Sequence, residues 1–245
     1  MKIMKRSRPS NIKSLPGEIL AEILKYSASN STADFVNVRQ SCKDFVKASN
    51  DYKIFENVSM EKFNPIPWEE NERVFLEKCT EAKNAEALYR KGMLNCFSGR
   101  EGGLQYLKEA ADKGHIEAIY TIGIVFVCLG GEFKNIGFQV LSCLNLTSSK
   151  RSVLVARYRS KTENLLSKMW VNVCLDTPEG RTNCNLCNGG EITARPNRLI
   201  EQGLSWEASN NLLACNNDNV SSCSHCFWNH EATLFSRMLR DYNTS

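Results

Sequence analysis

Two cysteine pairs stand at a spacing that lets neighbouring thiolates share one ion: Cys184-Asn185-Leu186-Cys187 and Cys223-Ser224-His225-Cys226. A CxxC turn carries two sulfurs to a common centre, and two such turns supply the four thiolates of a tetrahedral structural zinc. Cys184, Cys187, Cys223 and Cys226 are therefore the candidate metal ligands. Cys215, His225 and His230 are further donors nearby, so a site of three cysteines and one histidine is a second arrangement. The 35 residues between Cys187 and Cys223 form a long loop, but closure entropy grows slowly with length. The same cysteines also fit a redox pair, a disulfide or unliganded structural thiols. A redox CxxC needs a βαβ setting, and no such pattern surrounds these. No Asp or Glu is placed to act on a bound metal, so the expected role is structural. Zinc would staple a segment too poor in apolar residues to fold alone.

Other chemistry is sparse. The chain has no Gly-x-Ser-x-Gly, phosphate loop, dinucleotide loop or His-Glu-x-x-His. Its three histidines are His115, His225 and His230, and His115 falls in the turn Lys113-Gly114-His115. No cysteine has surroundings in the sequence that would lower its pKa and make it a nucleophile. The expectation is a protein that binds, not an enzyme.

The elements that would position these residues are helical. Pro16 suits a helix start, where no amide donor is needed, and Ile19, Leu20, Ile23 and Leu24 follow at helical spacing. Ser27 to Ser31 breaks the pattern, and Ser31 or Asn30 can cap the next helix. That second, short helix runs through Asp34, Phe35 and Val36, and a third carries Val38, Cys42, Phe45 and Val46. Three helices this short bury little, so the unit needs support from the rest of the chain or from a partner. After Pro65-Ile66-Pro67-Trp68, a helix is expected from Glu69 to Cys79. Two segments then repeat at an offset of 31: Asn84-Ala85-Glu86-Ala87-Leu88-Tyr89-Arg90-Lys91-Gly92 and His115-Ile116-Glu117-Ala118-Ile119-Tyr120-Thr121-Ile122-Gly123. A helix pair at this period is the mark of an α-solenoid, with Ala and Gly allowing close helix approach. Leu104 to Ala111 reads as the second helix of the first pair. A long helix is expected over Val153 to Trp170, and beyond residue 180 the periodicity is lost until Glu231 to Leu239.

The fold class is therefore mostly α, in four parts. Residues 1–14 form a disordered basic tail and 15–58 a three-helix module. Residues 69–170 form an α-solenoid-like repeat region and 181–245 an irregular Cys-rich tail, stapled if zinc binds. Bulk properties agree: hydrophobic residues are 42%, charged residues 24%, and the 245 residues include only 6 prolines. The net charge is +4, but five of the 31 basic residues precede Glu18, leaving 26 against 27 acidic ones. A near-neutral body argues against nucleic acid as the main partner. Lys5-Arg6-Ser7-Arg8 is a short basic stretch of the kind that directs nuclear entry. No apolar run reaches the roughly 20 residues of a membrane span, and no apolar core follows the basic N-terminus as a secretory signal would require. Residence in the cytoplasm or nucleus is expected, and most of the 11 cysteines then read as free buried thiols.

Residues 15–58 resemble an F-box. The family pattern opens with a Leu-Pro pair, an acidic residue and aliphatic pairs, here Leu15, Pro16, Glu18, Ile19, Leu20, Ile23 and Leu24. It continues with Val36, Val38, Arg39, Cys42, Lys43 and Phe45, where Phe45 stands for the more frequent tryptophan. The resemblance implies docking on a Skp1-type adaptor through Leu15, Pro16, Ile19, Ile23, Leu24, Val38, Cys42 and Phe45, and through that adaptor on a cullin. The remainder resembles plant F-box proteins that carry Sel1/TPR-like repeats and a cysteine-bearing tail, on Ala110-Ala111-Asp112-Lys113-Gly114-His115 and on Cys223 to Phe235. The resemblance implies the substrate receptor of an SCF-type ubiquitin ligase, recruiting a target protein the sequence does not name. The alternative is a helical-repeat scaffold outside the ubiquitin system.

Overall fold

The computed structural model describes residues 12, 15–49, 52–175 and 223–243. The basic tail and Cys184, Cys187 and Cys215 lie outside the described residues. Every regular element among those described is helical, with no strand. The chain divides into two compact units, residues 1–87 and 88–245.

The first unit holds α1 (Gly17–Asn30), α2 (Thr32–Ser41), α3 (Lys43–Ala48), α4 (Tyr52–Asn57) and α5 (Glu70–Glu81). Pro16 precedes α1, and its carbonyl accepts from the amides of Ile19 and Leu20 at 3.0 and 3.2 Å. The serine- and asparagine-rich stretch does not break α1 where expected. Ser29 and Asn30 turn their side chains back onto the Tyr26 carbonyl, each at 2.9 Å, which satisfies them inside the helix. The break comes at Ser31, which then caps α2 by accepting from the Asp34 amide at 3.3 Å. Val38 and Val46 do not share a helix either, because Cys42 is extended (φ −159°, ψ 160°) and separates α2 from α3. α1 packs against α2, α3 and α4, burying Leu20, Leu24, Ala28, Phe35, Phe45, Ile54 and Val58. A chain of aromatic contacts, Phe35 to Phe55 to Phe75 to Phe63, runs on from α2 through α4 to α5.

Asn84 closes this unit. Its side-chain amide donates to the carbonyls of Phe55, Glu56 and Val58 at 3.1, 3.0 and 3.0 Å. These lie at the C-terminal end of α4, where carbonyls lack helical partners. Its Oδ1 accepts from the Ala87 amide at 3.1 Å, capping α6 (Ala85–Phe97). One 4%-exposed side chain thus terminates two helices. Asn84→Ala should destabilise the first unit by about 2–4 kcal/mol, because an orphaned buried carbonyl and a lost cap each cost about 1–2. Asn84→Asp keeps the cap but turns an oxygen on the three carbonyls, and should be at least as damaging. Urea denaturation of the two variants checks both; a loss below about 1 kcal/mol would mean that water replaces the amide.

The 31-residue repeat extends further than its helices. After α5, Lys83 adopts φ +60° and the Asn84 amide bonds back to the Cys79 carbonyl at 2.9 Å. After α7 (Gly103–Asp112), Gly114 adopts φ +82° and the His115 amide bonds back to the Ala110 carbonyl at 3.1 Å. Both are left-handed helix terminators of the same type. Each is followed by a cap on the third helical amide: Asn84 on Ala87, and His115 Nδ1 on Ala118 at 3.2 Å. The α5–turn–α6 segment is therefore repeated by α7–turn–α8 (Ile116–Leu129).

In the second unit the expected glycine contacts appear. A Cβ on Gly92 would stand 2.8 Å from Leu107 of α7, and one on Gly123 would stand 2.6 Å from Leu141 of α9 (Gly131–Ser142). The two glycines hold matching places in successive pairs, as do the fully buried Ala87 and Ala118. α8 is buried on nearly every side, against α7, α9, α10 (Ser148–Leu166) and α11 (Ser224–Asn243). The long helix expected over Val153 to Trp170 begins five residues earlier and stops at Leu166. Beyond it, Asn172 donates its backbone and side-chain amides to the carbonyls of Phe97 and Ser98 at 2.8 and 3.3 Å, closing the end of α6.

The irregular tail needs correction over its last residues. α11 begins at Ser224, seven residues before the expected helix. Its opening, Ser-His-Cys-Phe-Trp-Asn-His, has poor helix propensity; burial of Cys226 and Trp228 imposes the helix instead. Glu231 then lies in the core. It accepts from the Tyr120 hydroxyl at 2.6 Å and faces Arg159 of α10 at 3.4 Å. Burial pushes its carboxyl up, while Arg159 and the Tyr120 hydrogen bond hold it back. Burial, with Arg159 second, depresses the adjacent His230 to about 4.

Candidate partner-binding surface

The residues expected to meet an adaptor divide between core and surface. α1 carries two aliphatic pairs, Ile19-Leu20 and Ile23-Leu24, and each pair straddles the same helical edge. Leu20 and Leu24 face inward at 4% and 0% exposure, whereas Ile19 and Ile23 remain 46% and 38% exposed. At 100° per residue, Pro16, Ile19, Ile23 and Tyr26 fall within an arc of about 80°, and all four are exposed, Tyr26 most at 75%. Val36 of α2 and Val46 of α3 are exposed as well. Leu15, Val38 and Cys42 are half-buried. Leu24 and Phe45 are buried in the unit itself, where they hold its helices together. Tyr26, Val36 and Val46 were not among the expected contacts. Tyr26, seven residues after Ile19, could have been found by extending the α1 stripe by one turn.

This surface is a strip of apolar side chains on short helices, edged by Glu18, Glu22 and Lys25, with Lys25 paired to Glu22 at 3.8 Å. Such a strip buries itself against a complementary helical or loop surface. Elsewhere in the chain, burial pushes the thiols of Cys96 and Cys128 up to about 11 and about 12, which keeps both protonated and unreactive.

Of the expected metal ligands, only Cys223 and Cys226 are described. Cys223 precedes α11, its carbonyl accepting from the Phe227 amide at 3.0 Å, and Cys226 lies buried in the first turn. Their spacing of three places both on one side of the helix start. Cys184 and Cys187 lie outside the described residues, and no cluster of three or more His, Cys, Asp or Glu occurs among those described. No helix among the described residues is long and apolar enough to cross a membrane.

Residues 61–167 match the family model described as plant tetratricopeptide repeats. The stretch takes in α5 to α10, where the turn and glycine geometry repeats. Three proteins of Arabidopsis thaliana named as F-box proteins are similar to the chain. One is 37% identical over 161 residues, 64% of this chain and 54% of that protein. A second is 28% identical over 128 residues, 50% of this chain and 34% of its own length. A third is 23% identical over 122 residues, 47% and 36% respectively. The chain thus spans about half the length of the first relative and about a third of the other two. No solved structure matches it. The chain is similar to plant F-box proteins and to plant helical repeats.

Proposed function

We propose that this chain is the substrate-receptor subunit of an SCF-type ubiquitin ligase, whose first unit docks on a Skp1-type adaptor and through it on a cullin. The observation that carries this reading is the exposed stripe Pro16, Ile19, Ile23 and Tyr26, on a module with the F-box residue pattern. An apolar stripe on marginal helices gains stability when a partner covers it. The helical repeats, which match the plant tetratricopeptide repeat family, are the part that selects a target. The chain acts by holding two proteins near each other, not by catalysis, in the cytoplasm or nucleus. Co-expression with a plant Skp1-type adaptor tests it: a stoichiometric complex on size-exclusion chromatography is expected. A folded chain that elutes alone would overturn the reading.

The cysteine pairs carry a second proposal, a structural zinc held by Cys184, Cys187, Cys223 and Cys226. Cys223 and Cys226 fit one half of the donor set, since both stand at one end of α11. Chain reach permits the other half. The backbone at Leu175 meets Ser236, about 20 Å along α11 from Cys223, and the nine residues from Leu175 to Cys184 span up to roughly 30 Å. Zinc bound there would anchor the start of α11 and leave the chemistry of the rest unchanged. Elemental analysis of protein purified without added metal should find about one zinc per chain. Cys223→Ser with Cys226→Ser should remove it and leave adaptor capture intact. Metal-free protein with an unchanged melting profile would dismiss the site.

A further inference from the structure

We infer that the outer face of α10 is a docking strip for an acidic, partly apolar peptide segment of the recruited protein. The inference rests on the receptor reading and names the class of target that reading leaves open.

α10 is basic on two opposite sides, and the two sides differ. On the inner side Arg159 meets Glu231. On the outer side Lys150, Arg157 and Lys161 point into solvent, within an arc of about 40° and over about 17 Å of helix. Lys168 follows, exposed, in the tightened turn that ends α10. The acidic residue of α10, Glu163, lies half-buried toward the other side. Of the elements packed on α10, α8 contributes Glu117, which pairs with Lys161, and α11 contributes Glu231, spent on Arg159, and Asp241, which faces Arg237. No described carboxylate pairs with Lys150, Arg157 or Lys168. In a body balanced at 26 basic and 27 acidic residues, this is a local excess, and it lies on the repeat unit, away from the adaptor stripe in sequence.

Two apolar side chains decide which polyanion suits the strip. Val153, between Lys150 and Arg157, is 71% exposed, and Trp170, two residues past Lys168, is 82% exposed. A phosphate backbone would leave both without use, and nucleic-acid sites need a wider basic field than one helix supplies. A peptide that alternates carboxylates with aliphatic side chains uses cations and anchors together. In extended form, about five residues cover the 17 Å from Lys150 to Lys161.

The test is fluorescence anisotropy of the full chain with three labelled probes. One is a peptide of about 12 residues alternating Glu with Leu and Ala, one is its Gln counterpart, and one is a single-stranded RNA of similar charge. The Glu peptide is expected to bind about tenfold or more tightly than the Gln peptide, with a preference that fades in high salt. Lys150→Glu, Arg157→Glu and Lys168→Glu together should abolish the preference. Lys62→Glu, Arg100→Glu and Lys108→Glu, with the same change in net charge, should keep it. Lys161 is left in place because it pairs with Glu117. Equal peptide binding by the two triple variants would overturn the strip, and stronger binding of RNA than of the Glu peptide would reassign it to nucleic acid. Adaptor capture by the Lys150, Arg157 and Lys168 variant should be unchanged. Loss of adaptor capture in the unmodified chain, with the peptide preference intact, would bring down the receptor reading alone.

Discussion

Replacing Ile19 and Ile23 together by aspartate should abolish capture of a Skp1-type adaptor while the chain keeps its helical content and melting temperature. Both side chains are substantially exposed in the first unit, so the unit's own core loses little. Under a partner, each isoleucine would bury about 1.5–3 kcal/mol of apolar side chain, and aspartate at the same place would bury an unpaired charge. The combined loss is about 4 kcal/mol or more, close to a thousandfold in affinity. The neighbouring residues provide the contrast. Leu20→Asp and Leu24→Asp strike the buried edge of the same helix and should unfold the unit outright. Pull-down titration and circular dichroism on both pairs separate the cases. If the Ile19 and Ile23 variant still captures adaptor at wild-type strength, the stripe is not the dock.

Glu231→Ala should lower the stability of the second unit by about 3–5 kcal/mol, the usual consequence of breaking a buried pair from one side. Arg159, whose side chain is 11% exposed, would lose the Glu231 carboxylate it faces, and the fully buried Tyr120 hydroxyl would lose its acceptor. For a unit of this size the melting temperature should fall by roughly 10 °C. Adding Arg159→Met removes the charge that faced Glu231 and should recover part of the loss, since an apolar replacement for a buried ion pair is often neutral. Calorimetry on the single and double variants gives the coupling. A single-variant loss under about 1 kcal/mol would mean that water reaches the pair.

The helical character, the 31-residue repeat and the helix-approach glycines were legible in the sequence because each leaves a local mark. Ala87 with Ala118, and Gly92 with Gly123, stand where small residues must stand when helices touch. The exposed stripe of α1 was legible in kind but not in orientation. Periodicity groups Ile19, Leu20, Ile23 and Leu24 on one face, yet that face is wide enough to be half core and half surface. Only the positions of α2, α3 and α4 decide where the edge falls. Propensity misled twice: Ser29 and Asn30, which can break a helix, were absorbed by back-bonding to Tyr26, and α11 starts in residues that favour other conformations. Glu231 left no signal at all, because its partners Tyr120 and Arg159 are 111 and 72 positions away.

That separation has a meaning in time. At the roughly 5–20 residues per second of protein synthesis, Glu231 follows Tyr120 by about 6 to 22 seconds, while a helix forms in microseconds. The paired helices of a repeat array can settle one after another as they emerge. α8 cannot, because one of its apolar sides waits for α11. A nascent chain therefore carries an unfinished second unit for several seconds, with Tyr120 and its apolar neighbours uncovered. During that interval chaperones or other nascent chains have access to a surface that the mature protein never shows.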